Sequence, residues 1–182
     1  MGGKAGLLII LLAGVLSAPV HAEQWRHQIR LGGWSYHLED EPFEDSPAYN
    51  ENHKGIGYYY RINQCHGSAS WYCQVGVSYL RDSFDNDMGT LTWSWNYPFN
   101  DYIAGGIVLG VANRTVAEYQ DEVFQGTDRK WLPVVAPKLE FSYGRFSVGF
   151  AIFPQVDYLE ENGSREYKIG KPTLFWDIAI AF

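Results

Sequence analysis

Gln74-Val-Gly-Val-Ser-Tyr-Leu-Arg-Asp-Ser-Phe84 opens with the period-two alternation of a membrane strand and closes on an Asp-Ser pair. In such a strand successive side chains face opposite ways, one set to lipid and the other to the interior. The closing pair reads in two ways. Asp and Ser commonly form turns by bonding their own backbone. Equally, Ser83 is a candidate nucleophile, and His37, at the end of another predicted strand, is its candidate base.

Seven further segments share the pattern: Arg26 to Leu38, Lys54 to Ile62, Thr90 to Tyr97, Tyr102 to Ala112, Trp131 to Phe141, Phe146 to Phe153 and Thr173 to Phe182. Each is near the ~9–11 residues that a tilted strand needs to cross a bilayer. In the last, Leu174, Trp176, Ile178, Ile180 and Phe182 alternate as a lipid-facing row. The sixth is broken, on this reading, by Pro133 and Pro137. The connections after strands one, three, five and seven are mostly long and polar, including Asn113 to Lys130 and Leu159 to Tyr167. The others are short turns. The expected fold is all-β, an eight-stranded antiparallel up-and-down transmembrane β-barrel, with long loops outside the cell and short turns in the periplasm. Soluble sandwich and lipocalin folds are the alternatives.

Composition agrees. Phe, Trp and Tyr make up 16% of the chain, with 19 glycines. Leu7 to Leu16 is a short apolar run behind Lys4, and Val20-His-Ala22 reads as a cleavage site, so residues 1–22 are expected to be a secretory signal peptide. Residues 23–182 are then the barrel domain. The net charge of −7 becomes −8 without Lys4, which argues against nucleic acid. Cys65 and Cys73, in a secreted chain, are expected to form a disulfide. A metal site there, with His66, is the weaker reading, because three ligands on one tight turn is not a zinc spacing. No nucleotide loop, metal cluster or cofactor fingerprint is present, so neither metal nor cofactor is expected.

The strand count alone places His37, Asp82 and Ser83 at one extracellular rim, with only strand two between them. A carboxylate beside a Ser-His pair can orient the imidazole. His37, Tyr49-Asn-Glu51 leading to Gly55-Ile-Gly57, and Arg81-Asp-Ser-Phe84 together resemble the lipid A palmitoyltransferase family, PagP. The resemblance runs on through Trp131-Leu-Pro133, Pro137 and Ile152-Phe-Pro154, and is dense only in the first half. It implies an outer-membrane acyltransferase that moves an acyl chain, palmitoyl by family habit, from a phospholipid to lipid A.

On that resemblance His37, Asp82 and Ser83 would be catalytic, and Tyr49, Asn50 and Arg81 would meet the substrate. Pro133, Pro137 and Pro154 would open a lateral route for lipid, and the protein would work as a monomer. The upper interior would be narrow and apolar, with Leu91 a candidate for the pocket floor; a polar-filled interior would argue the other way. The chain departs from the family at Gly32 and His53, where prolines are usual, which puts a second opening between strands two and three in doubt. Glu23 to Gln28 is too short for the family's amphipathic helix. The competing functions are a lipid A deacylase using the Ser-His pair, and a non-catalytic barrel acting through its extracellular loops.

Overall fold

A computed structural model describes residues 25–38, 48–67, 69–120, 123–161 and 164–182. The expected signal peptide, the stretch 39–47 of the first loop, and part of Glu23 to Gln28 lie outside the described residues. The strands are β1 (His27–His37), β2 (Asn52–Asn63), β3 (Tyr72–Arg81), β4 (Asp87–Pro98), β5 (Ile103–Gln120), β6 (Val123–Tyr143), β7 (Phe146–Glu161) and β8 (Ser164–Ala181). They form a closed antiparallel barrel in chain order, with β1 paired to β8. Closure satisfies in-wall backbone groups that would otherwise face hydrocarbon, where no water can bond them.

The barrel carries its large apolar side chains on the outside. Ile56, Val77, Leu91, Ile107, Val135, Ile152, Ile178 and Ile180 are all exposed. Leu91 therefore faces lipid and is no pocket floor. At the end holding the short turns, Tyr97, Phe99, Tyr102, Phe141, Tyr143, Phe146 and Phe182 form an exposed aromatic girdle, with Tyr97 edge-on to Phe99 and Tyr102 stacked on Tyr143. An apolar belt rimmed by rings is what an outer-membrane barrel requires, and this is one. Cys65 and Cys73 form the expected disulfide across the β2–β3 turn.

The interior has two halves. The lower half is polar-filled: Arg30 is held between Glu140 and Asp177, and Lys138 lies 3.1 Å from Glu140. The upper half encloses a mostly apolar cavity of about 210 Å³, lined by Leu80, Met88, Val108, Leu132, Phe150 and Phe175 among others. The upper interior is mostly apolar as expected, and the polar filling, the feature that would argue the other way, occupies the lower half and meets the cavity at Arg30, Lys138 and Asp177.

The two expected upper loops are not loops. β5 and β6 remain paired from Ile103↔Phe141 to Gln120↔Val123, with a bulge at Glu118/Tyr119. β7 and β8 likewise stay paired out to Glu161↔Ser164. Beyond the bilayer a ladder needs no lipid-facing row, so these segments keep their hydrogen bonds without apolar alternation.

Candidate functional site

The upper mouth is built around the turn that leaves β3. Asp82 is 1% exposed. Its Oδ1 accepts the amides of Phe84 at 2.9 Å and Asn86 at 3.0 Å, while Oδ2 accepts the amide of Thr115 on β5 at 2.7 Å. A carboxylate bonding residues two and four ahead of it stabilises a tight turn locally, and Asp85 completes this one with φ 57°. Asp82 is thus a turn former and a strand tether. Its oxygens serve three backbone amides, and it does not orient His37.

Ser83 and His37 do meet. His37 Nε2 lies 3.2 Å from Ser83 Oγ, and the ring stacks on Tyr49 with centroids 4.4 Å apart. His37 Nδ1 is buried with no hydrogen-bond partner among the described residues. Among the described residues no carboxylate holds that nitrogen, so Asp82 does not complete a Ser-His-Asp relay here. Asn50 ties the start of β2 to the same turn: its amide N–H donates to Ser83 O at 2.7 Å, and its Nδ2 to Asp82 O at 3.1 Å. Arg81 points away, donating to Asp85 O at 2.9 Å and pairing with Asp87 at 3.2 Å.

His53 carries more than its sequence position suggested. Its Nδ1–H donates to Arg81 O at 2.7 Å, leaving Nε2 to accept from the Ser35 hydroxyl at 2.8 Å. The β2–β3 ladder ends at Ile56↔Tyr79, and His53 fastens the two strands above that point. A side chain here does the work of a ladder bond. The site of the doubtful second opening is closed.

The wall does part between β6 and β7, whose ladder stops at Lys138↔Ala151. Residue parity explains it. Ser142 N donates to Tyr102 O, so even-numbered residues of β6 bond toward β5 and odd-numbered ones toward β7. Arg145 O accepts from Ala181 N, so even-numbered residues of β7 bond toward β6. Pro133, Pro137 and Pro154 all fall on the seam side, where each lacks the N–H that a ladder would use. The prolines do not break β6, because its other edge stays paired to β5 through Pro133 and Pro137. Pro133 and Pro154 also line the upper cavity. Pro137→Ala supplies a missing donor; the amide at 137 should then become protected from hydrogen exchange as the seam zips, adding about 1 kcal/mol. An unprotected amide there would show that the strands are held apart by something other than the prolines.

Above the barrel the strands regroup. β4 pairs with β5 only up to Gly89↔Asn113. β5 then meets β7 in parallel, Glu118↔Tyr158 to Gln120↔Glu160, while its other edge still holds β6. The tops of β6, β5, β7 and β8 thus form one sheet joined across the mouth. Thr115, Val116, Ala117 and Tyr119 are buried, so both faces of the β5 extension are covered. Sequence reasoning missed Thr115 and this sheet.

No family model matches the chain, and no curated protein matches it. Among solved structures, the chain is similar to Ail, the attachment invasion locus protein of Yersinia pestis, at 12% identity and a TM-score of 0.48, covering 86% of this chain and 95% of that one. A second structure of Ail, in complex with the heparin analogue sucrose octasulfate, gives 12% identity and a TM-score of 0.44 over the same shares. These neighbours are an attachment protein, and the resemblance to the lipid A palmitoyltransferases is overturned. The acyltransferase activity and the phospholipid and lipid A partners fall with it. The motif misled for a local reason: Arg81-Asp-Ser-Phe84 is the sequence of a hydrogen-bonded turn, and the turn is what it builds.

Proposed function

We propose that this chain is a non-catalytic outer-membrane barrel that acts at the cell exterior through the sheet raised over its upper mouth. The observation that carries the reading is the parallel β5–β7 pairing, which turns two long hairpins into one surface. A surface already ordered loses little conformational freedom on binding, which favours recognition. On this reading His37, Ser83, Tyr49 and Asn50 brace the base of the sheet. Arg81 holds its own turn, and the seam at Pro133, Pro137 and Pro154 opens the upper cavity to bilayer hydrocarbon. Gln125, Thr127 and Arg129 are exposed on one face of β6 and offer polar contacts to a partner.

The test is adherence of expressing bacteria to immobilised extracellular matrix protein and to heparin. A Gln125→Ala, Thr127→Ala, Arg129→Ala triple variant should lose about tenfold, as removal of a contact cluster does. His37→Ala and Ser83→Ala should adhere as the parent does. The opposite pattern, with the tip dispensable and the Ser-His pair required, would refute the reading.

A further inference from the structure

The raised sheet reaches the barrel's short-stranded side through few bonds. β1 to β4 end at or near the rim, and β5 has lost β4 as a partner once it passes Asn113. The next β5 amide facing the vacated edge is Thr115, two residues on, and it finds the Asp82 carboxylate at 2.7 Å. Ala117 follows on the same edge, and from Glu118 onward, across the bulge, β5 enters the parallel pairing with β7. The edge of β5 therefore passes from a strand, to a side chain, to a second strand. The side chain is the only one of the three that a single substitution can remove.

We infer that Asp82 is the latch of a lid: its bond to Thr115 holds the β5–β6 extension down at the rim of the upper cavity, and that extension loosens and parts from β7 when the bond is released. This deepens, and rests on, the reading of the raised sheet as the working surface. The geometry supports it on three counts. Asp82 is nearly fully buried, yet its backbone belongs to a turn already satisfied by Asp82 N to Asn86 O at 2.8 Å and Asp85 N to Asp82 O at 3.1 Å. Its second carboxylate oxygen is thus not needed by the turn and serves β5. Arg114, beside Thr115, and Asp82 itself both line the upper cavity, so the latch lies where lid and cavity meet. Finally, Asn50 fixes Asp82 O and Ser83 O from the β2 side, which anchors the catch to the barrel wall.

Hydrogen exchange on the folded barrel in detergent micelles tests this, with heat-modifiable migration confirming that each variant is folded. Asp82→Ala should raise exchange at residues 115–119 at least tenfold, while the lower β1–β4 ladders keep parental rates. Thr115→Pro takes away the donor of the latch from the β5 side while the even-numbered neighbours keep the bonds to β6, and it should reproduce the effect at residues 116–119 with the Asp82 turn intact. A Leu132→Cys probe in the cavity should be labelled by a bulky maleimide faster in both backgrounds. A Tyr119→Cys, Leu159→Cys staple across the β5–β7 pair should restore parental exchange and labelling to Asp82→Ala. Unchanged exchange and labelling in folded Asp82→Ala or Thr115→Pro overturns the latch, as does loosening that spreads through the whole barrel. Because these readouts need no partner, a failed latch leaves the adherence result to judge the surface reading separately.

Discussion

Arg30→Ala is expected to destabilise the barrel by about 3–5 kcal/mol, the usual cost of removing one partner of a buried ionic group. The side chain is 8% exposed and donates to Asp177 at 2.9 Å, to Glu140, and to Gln28 Oε1 at 3.0 and 3.2 Å, with its guanidinium 4.8 Å from the centre of the Tyr59 ring. Without it Glu140 keeps Lys138, but Asp177 is left in the lumen with no cation bonded to it in this network. The cost therefore comes from the stranded carboxylate more than from the lost bonds. Replacing Arg30 and Lys138 with Met and both acids with Leu should be far milder, because no charge is left uncompensated. Guanidinium titrations followed by Trp fluorescence measure both. A loss below about 1 kcal/mol for Arg30→Ala would mean that water reaches the cluster and screens it like a surface pair.

Much of this was legible in the chain, and the failures share a cause. The eight strands and the outward row ending at Ile178, Ile180 and Phe182 follow from lipid on one side of the wall, which imprints period-two alternation directly. Once β5 passes Asn113 that constraint ends, so Asn113 to Lys130 looks like polar loop although it is ladder. The prolines were recognised as interruptions, but a proline blocks one edge of a strand only, and which edge depends on hairpin register. Pro133 and Pro137 consequently open the β6–β7 seam while β6 runs unbroken. Asp82-Ser83 had two readings at the outset, and the modest one describes Asp82. The partner that distinguishes it, Thr115, lies thirty-three residues away in a segment with no pattern to announce it. Arg30, Glu140 and Asp177 are each ordinary inward positions; only barrel closure brings three strands' charges to one point.

The outward face admits an equally direct test. Ile107→Arg is expected to cost about 2–4 kcal/mol if the residue faces the bilayer midplane. Ile107 lies midway along the lipid-facing part of β5, between the turn-end Tyr102 and Asn113, where β4 leaves. It is 52% exposed, and its cross-strand neighbours are Trp95 and Pro137. An exposed isoleucine on a soluble barrel could become arginine within about 0.5 kcal/mol, since a charged side chain is at home in water. The same substitution thus separates the two environments. Arginine at mid-bilayer must bend its head group toward an interface or draw water to itself, and the wall offers it no ion partner there. Refolding into lipid vesicles, with stability read from guanidinium titration, should show the full loss, whereas Gln125→Arg on the raised sheet should fold as the parent does. A neutral Ile107→Arg would mean that the apolar belt does not face lipid, and the membrane placement would have to be given up.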